Sequence, residues 1–209
     1  MKTILVYGDS NTWGYIPGTE AERYAHDVRW AGVMRAELGG DYRVIEEALN
    51  GRTTAWDDPL MADRNGRTFL PMVLDSQAPV DLVVIMLGTN DTKHYFGFSA
   101  NDIALGAASL VQFVKESMAG PGKRPPEVLL VSPVTIVESD QPFGHKFDDA
   151  IETSRGFAAS YREIAEQLDC LFFDAAVVAI PPETDGIHLD ADGHSSLGQA
   201  MAQFVSQHL

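Results

Sequence analysis

Four polar residues could together carry out nucleophilic chemistry. Ser10 and Asn90 each follow a short apolar run, and Asp185 lies three positions ahead of His188 near the carboxyl end. A serine needs a base before it can attack a carbonyl group, and a histidine needs an acceptor on its other ring nitrogen to hold the productive tautomer. Asp185 and His188 have the spacing of such a pair. The sequence therefore predicts that Ser10 is a nucleophile activated by His188.

A negative charge developing on a substrate oxygen would need hydrogen-bond donors close to Ser10. The candidates are the backbone N–H groups of Ser10 and Gly51 and the side-chain amide of Asn90. Glycine at position 51 would let its backbone approach a substrate closely. We expect these three groups to form an oxyanion hole.

Each motif alone also has an ordinary structural explanation. Asp9 could cap a helix, Asn90 could lie in another helix cap, and Asp185 could stabilise a local turn next to His188. The order of the motifs, each after a strand, favours a catalytic site. A different class of function is a non-catalytic module in which residues 8–14 hold an anion at a helix amino terminus. That stretch lacks the Gly-Lys-Ser/Thr ending of a P-loop and the glycine spacing of a dinucleotide-binding loop.

The elements that must position these residues alternate between strand and helix patterns. Five apolar runs bounded by turn formers predict buried parallel strands at residues 3–7, 42–46, 81–87, 128–132 and 171–174. Every candidate residue follows the carboxyl end of one of them. This alternation predicts an α/β fold, and with the strand order 2-1-3-4-5 Ser10 and Asn90 would flank the crevice where the winding direction reverses.

Helical spacing of apolar residues connects the strands. It predicts four helices, at residues 30–38, 103–120, 154–168 and 192–208. Two stretches, residues 51–67 and 138–148, have no clear periodicity. We expect them to be long loops with a role in function or in partner contacts, rather than only solvated surface.

Composition limits the remaining possibilities. With 209 residues, 45% of them hydrophobic, the chain can bury one sizeable core, so we expect one domain over residues 1–209. The net charge of −15 disfavours nucleic acid and anionic membranes as partners. Cys170 is the single cysteine, which excludes an intrachain disulfide. The amino-terminal apolar run is too short for a signal peptide, and we expect a cytoplasmic protein.

The motifs resemble those of the SGNH hydrolases, also called the GDSL esterase/lipase family, in the family's order and over nearly the whole chain. The resemblance implies a flavodoxin-like three-layer sandwich around a five-stranded parallel sheet of order 2-1-3-4-5. It also implies the Ser10, His188 and Asp185 triad. Asn11 stands where the name-giving leucine of the family would be. The matching blocks are Gly8-Asp9-Ser10, Asn50-Gly51, Gly88-Thr89-Asn90-Asp91 and Asp185-Gly186-Ile187-His188.

Four segments narrow the resemblance within the family: residues 10–14, 27–30, 50–54 and 86–93. In these segments the sequence is similar to a bacterial arylesterase/acyltransferase subgroup. That similarity implies hydrolysis of short acyl esters of phenols, acyl transfer to alcohols or peroxide, and a homo-oligomer, often an octamer. It implies a small-molecule ester as substrate and neither a metal nor an organic cofactor. Carbohydrate acetylesterase and thioesterase activities are the alternatives within the family. The residues expected near the substrate are Asp9, Trp13, Lys93, Phe143, Phe147 and Ile187.

Overall fold

Five parallel strands form one central sheet in the order β2-β1-β3-β4-β5. The computed structural model describes residues 1–139 and 144–209. All five predicted strands and their order are confirmed. The strands are β1 (Lys2–Gly8), β2 (Tyr42–Ala48), β3 (Leu82–Met86), β4 (Glu127–Ser132) and β5 (Leu171–Asp174).

Seven α-helices surround this sheet in the described part of the chain. Side chains from α3, α4 and α6 pack on one face of the sheet, and side chains from α2 and α7 pack on the other. The result is the three-layer α/β sandwich that the sequence predicts. The helices are α1 (Ser10–Trp13), α2 (Trp30–Leu38), α3 (Gly66–Gln77), α4 (Ala100–Glu116), α5 (Ala150–Arg155), α6 (Phe157–Gln167) and α7 (Ala191–His208).

Strand β1 shows why the sheet needs helices on both faces. Successive side chains of a strand point to opposite faces. Ile4 and Val6 therefore join the core beneath α2 and α7, while Leu5 and Tyr7 join the core beneath α3 and α4. All four are completely buried, so the run reads as continuously hydrophobic, as is typical of a central parallel strand.

Helix α3 is the largest difference from the sequence prediction, which left its first two residues in an unassigned stretch. Asn65 caps the helix by accepting a hydrogen bond from the Thr68 N–H at 3.3 Å. A side chain at Gly66 would lie within 3 Å of the Thr53 and Thr54 carbonyl oxygens. Close packing therefore requires glycine at position 66. Pro71 lies inside the helix, and because proline is typical of a helix break, it obscures the helical spacing of this segment.

Two helix boundaries also differ from the prediction. Helix α4 ends at Glu116, whereas the spacing predicts an end near Gly120. The segment predicted as one helix over residues 154–168 is divided at Gly156, which separates α5 from α6. None of the helices in the described residues has the apolar length needed to span a bilayer.

His194 on α7 is completely buried against the start of α2. Its Nδ1 accepts a hydrogen bond from the Trp30 N–H at 3.3 Å, and its ring makes an edge contact with Tyr24. Burial lowers the pKa of His194 to about 4, and the nearby Arg29 guanidinium adds to this effect. The folded protein therefore keeps this imidazole neutral at pH values where an unfolded histidine takes up a proton.

We predict that His194 makes the fold less stable in mild acid. Because the pKa is about 6.5 in the unfolded chain and about 4 in the folded protein, stability is lost as the pH falls between these values. The loss is about 1.4 kcal/mol for each pH unit, or roughly 2 kcal/mol between pH 6.5 and 5. Urea denaturation of the wild type and His194→Asn at pH 7 and pH 5 measures it. Asparagine keeps an acceptor for the Trp30 N–H but cannot be protonated.

On acidification from pH 7 to pH 5, the free energy of unfolding should therefore fall more for the wild type than for His194→Asn. His145→Gln is the matched control, since the His145 side chain is 94% exposed. An equal pH response of both variants would contradict the assignment to His194.

Candidate active site

The first polar turn of the chain places Ser10 at the carboxyl end of β1. Asp9 caps α1 by accepting a hydrogen bond from the Asn11 N–H at 3.0 Å, and Ser10 is the first residue of that helix. A side chain at Gly8 would collide with the Thr12 side chain. The strand can therefore turn directly into the helix only because residue 8 is glycine.

A continuous hydrogen-bond chain runs from Asp185 through His188 to Ser10. His188 Nε2 lies 2.9 Å from Ser10 Oγ, and His188 Nδ1 lies 2.8 Å from Asp185 Oδ2. All three side chains belong to residues that are at most 7% exposed. A carboxylate accepts at Nδ1, so the imidazole proton resides there and Nε2 is left to accept from the serine hydroxyl.

The Asp185 carboxylate is also held by its own loop. Its Oδ1 accepts hydrogen bonds from the Ile187 N–H at 3.0 Å and the His188 N–H at 2.9 Å. Burial alone would raise the pKa of Asp185, but the hydrogen bonds and the charge of His188 outweigh burial and lower it. The turn needs glycine at position 186, where φ is +72°. Asp185 is therefore ionised and oriented before any substrate arrives.

Three N–H donors lie around Ser10. Gly51 has φ of +82° in the loop after β2, and among the described residues none accepts a hydrogen bond from its N–H. Asn90 lies in a 3₁₀ turn after β3 and donates one hydrogen bond from Nδ2 to the Arg52 carbonyl at 3.1 Å. The Ser10 N–H, as the first of α1, has no partner within its helix. All three residues line the same cavity.

Asp91 connects the loop after β2 to the turn after β3. Its two carboxylate oxygens accept from the Thr54 N–H at 3.0 Å, and one of them accepts from the Thr54 hydroxyl at 2.5 Å. Asp91 is completely buried, and this burial raises its pKa to about 7 despite the Thr54 bonds. The contact holds the segment that contains Gly51 close to the one that contains Asn90.

Lys93 forms a buried ion pair at the edge of the cavity. Its Nζ lies 2.7 Å from Asp58 Oδ2, and the Tyr95 hydroxyl donates to the same carboxylate. The Leu60 N–H donates to Asp58 as well. Burial would raise the pKa of Asp58, but these donors and the Lys93 charge lower it. The pair fixes the loop that brings Met61 to the cavity wall.

The cavity beside Ser10 is small, with a volume of about 170 Å³. Apart from the residues already placed around Ser10, its walls combine apolar, aromatic and polar side chains. No three histidine, cysteine, aspartate or glutamate side chains in the described residues converge as they would around a metal ion. The wall residues are Tyr15, Asn50, Met61, Lys93, Lys146, Phe147 and Ile187.

Three of the six predicted substrate-binding residues, Lys93, Phe147 and Ile187, line this cavity. Phe143 lies outside the described residues. The other two do not line the cavity. Asp9 is 1% exposed and serves as the cap of α1, because its carboxylate turns back to the backbone.

Tyr15 lines the cavity and Trp13 does not. Tyr15 was not identified as a site residue from the sequence. Gly14 takes φ of +88° and reverses the chain after α1, so the next residue, Tyr15, faces the site. The Tyr15 ring stacks on His188 with centroids 4.2 Å apart, while the Trp13 ring lies beneath the Arg23 guanidinium. A glycine at position 14, directly after the polar turn, was the one sign in the sequence that the chain could reverse there.

Comparison with known proteins places this arrangement in a family. The model of the GDSL-like Lipase/Acylhydrolase family matches residues 6–195. A solved aryl esterase of M. smegmatis is 43% identical, with both chains covered completely and a TM-score of 0.96. A carbohydrate acetylesterase from Sinorhizobium meliloti is 41% identical, again over both full chains, with a TM-score of 0.95. No curated protein sequence matches the chain.

A more distant structure shares the fold alone. It is a member of the lipolytic protein G-D-S-L family from Veillonella parvula, 13% identical over the full length of both chains, with a TM-score of 0.71.

The Lys93–Asp58 pair supplies a prediction about stability. Lys93→Met keeps most of the side-chain volume but leaves the buried Asp58 carboxylate without a cation, which costs about 3–5 kcal/mol of unfolding free energy. Arg155→Met is the matched control, since it breaks an exposed pair with Glu152 and should cost less than about 1 kcal/mol. Urea denaturation at pH 7 compares them, and equal losses would show that Lys93 and Asp58 are not a stabilising pair.

Proposed function

Since this chain belongs to the GDSL-like lipase/acylhydrolase family and is a carboxylic ester hydrolase, we propose that it cleaves short-chain acyl esters of phenols through an acyl-enzyme on Ser10. The hydrogen-bond chain from Asp185 through His188 to Ser10 is the observation that carries this proposal. The 43% identity to an aryl esterase supports the choice of substrate class.

In the first half of the reaction, Ser10 Oγ attacks the ester carbonyl carbon while His188 Nε2 takes the hydroxyl proton. Asp185 stabilises the resulting imidazolium at Nδ1. The carbonyl oxygen gains negative charge and accepts hydrogen bonds from the Ser10 and Gly51 N–H groups and from Asn90 Nδ2. Asn90 already donates one of its two protons to the Arg52 carbonyl, so the amide is oriented before the charge develops.

In the second half, His188 donates its Nε2 proton to the departing phenolate or alkoxide. The carbon–oxygen bond to the leaving group breaks and the acyl group stays on Ser10. Water then gives a proton to His188 Nε2 and attacks the acyl carbon. The bond between that carbon and Ser10 Oγ breaks as His188 returns the proton to Oγ, which releases the acid and restores both residues. An alcohol or peroxide in place of water would give acyl transfer, a second outcome that we propose for the same intermediate.

The size of the cavity supports a short acyl group. Its volume of about 170 Å³ is below the roughly 300–1,000 Å³ of pockets that enclose drug-sized ligands. Met61, Phe147 and Ile187 provide apolar surface on its walls. An acetyl or similarly small group fits this description, whereas a long acyl chain would have to leave the cavity.

A carbohydrate acetylesterase is the second candidate. Asn50, Lys93 and Lys146 add polar groups to the cavity wall, and such groups suit the hydroxyls of a sugar better than a phenyl ring. The 41% identity to the Sinorhizobium meliloti carbohydrate acetylesterase points the same way. Measuring kcat/KM on phenyl acetate and on an acetylated sugar under identical conditions decides between the two.

We predict the effect of removing each reacting group. Ser10→Ala or His188→Ala should lower kcat on phenyl acetate by about 10⁴ or more, since each removes the activated nucleophile. Asn90→Ala should lower it by on the order of 10² to 10³, the usual effect of losing one oxyanion donor. Steady-state kinetics and labelling of Ser10 by an aryl phosphonate measure these losses. A near-native rate in purified Ser10→Ala protein would refute the proposed function.

We also predict a steep dependence on acyl length. In a series of phenyl esters from acetate to octanoate, kcat/KM should be highest for the shortest members and fall as the acyl chain outgrows the cavity. Met61→Ala enlarges the cavity wall next to Gly51 and should move the optimum toward longer chains. A wild-type optimum at octanoate would contradict the short-chain assignment.

A further inference from the structure

Asn11 connects the helix that carries Ser10 to the loop that carries His188. Its Nδ2 donates to the Ile187 carbonyl at 3.0 Å, and its Oδ1 accepts from the Leu189 N–H at 2.9 Å. The two backbone partners are the residues on either side of His188. Asn11 is 2% exposed, so these bonds are shielded from water and both ends of its amide are used.

The His188 loop has other contacts as well, among them the stacking of Tyr15 on the His188 ring. On its far side, the Val137 N–H donates to the Gly186 carbonyl at 2.9 Å, which ties the loop to the segment after β4. Within itself, the loop is held by the bonds from Ile187 and His188 to Asp185. These backbone bonds shape the loop, whereas the Asn11 amide joins its backbone directly to α1.

Asn11 joins the loop to the nucleophile through a very short path. It is the residue next to Ser10 in the same helical turn, and the cap from Asp9 fixes the Asn11 N–H. A pair of hydrogen bonds to one planar amide fixes direction as well as separation, as in a strand ladder. The Asn11 side chain, adjacent to the nucleophile, therefore ties the backbone on both sides of His188 to the helix that carries Ser10.

We propose that Asn11 is a positioning residue for the reaction, one that holds His188 Nε2 at hydrogen-bonding distance from Ser10 by clasping both neighbours of His188. This inference rests on the proposed roles of Ser10 and His188. Asn11 is not among the residues that line the cavity, so it acts through the His188 loop and not on the substrate.

The expected consequence is a loss in kcat with little change in KM. Asn11→Leu keeps the size of the side chain but leaves the Ile187 carbonyl and the Leu189 N–H unpaired, so the loop shifts to find other partners. A displacement of about 1 Å at a reacting group can cost about 10²-fold. We expect kcat on p-nitrophenyl acetate to fall by about 10- to 100-fold while KM changes by less than about threefold.

A merely structural role for Asn11 is separated from positioning by a double-mutant cycle. If Asn11 acts through His188, Asn11→Leu should have no further effect on the residual rate of His188→Ala protein. p-Nitrophenyl acetate is chosen because its good leaving group keeps that residual rate measurable. The control is Asn101→Leu, which removes the Asn101–Ser160 hydrogen bond between α4 and α6 and should leave kcat near that of the wild type.

A wild-type kcat in folded Asn11→Leu protein, or an equal fold-loss with and without His188, would overturn the inference. Where circular dichroism shows that Asn11→Leu does not fold, Asn11→Ala goes through the same cycle, because it removes both hydrogen bonds without burying a charge. Failure of the proposed function is distinguishable, since it requires an active Ser10→Ala enzyme, whereas either failure of this inference leaves Ser10→Ala inactive.

Discussion

The rest of the site depends on one contact, the hydrogen bond of 2.9 Å between Ser10 Oγ and His188 Nε2. It joins two residues that are 178 positions apart in the sequence. It exists only because parallel strands bring their carboxyl ends to one edge of the sheet. Strand β1 delivers Ser10 there, the turn after β3 delivers Asn90, and the loop before α7 folds back over both. The chain continues from β1 to one side of the sheet and from β3 to the other. The crevice into which these groups converge lies between those two strands, where the winding direction reverses.

Buried carboxylates hold the converging loops together. Asp91 joins the segment after β2 to the turn after β3 through Thr54, Asp58 holds the cavity loop through Lys93, and Asp185 orients His188. The environments differ in the charges available. Asp58 and Asp185 face a cation or an imidazole and have lowered pKa values. Burial raises the pKa of Asp91 to about 7, because the Thr54 hydrogen bonds and the Lys93 charge offset it only in part. An acidic chain thus uses its carboxylates as internal hydrogen-bond acceptors as well as surface charge.

Strong local patterns made most of the architecture predictable from the sequence. Five apolar runs gave all five strands, since buried parallel strands read as uninterrupted hydrophobic segments. Their order was implied by the resemblance to the SGNH hydrolases. The residues now found in the hydrogen-bond chain each followed a strand end, which is why Ser10, Asp185 and His188 could be grouped without coordinates. Helix α3 could not be predicted, because Gly66 and Pro71 mark a loop or a break unless the tertiary contacts that require them are known.

The cavity wall was less predictable for the same physical reason. Lys93 was expected near the substrate, but its ion pair with Asp58 joins residues 35 positions apart, and the sequence around either residue gives no sign of the other. Trp13 was expected near the substrate from its matching position in the family subgroup, whereas the chain turns at Gly14 and Tyr15 stacks on His188. Side-chain direction after a turn depends on φ and ψ, which composition does not encode.

Asn11 illustrates how such a constraint becomes mutual. A buried amide is costly unless both of its ends are paired, so asparagine at this position requires the backbone of residues 187 and 189 to lie where they do. In return, the Ile187 carbonyl and the Leu189 N–H, which lie in an irregular loop and have no strand or helix to pair with, obtain hydrogen-bond partners. The nucleophile's helix and the histidine's loop therefore stabilise each other, and a change in either one disturbs the distance between Ser10 and His188.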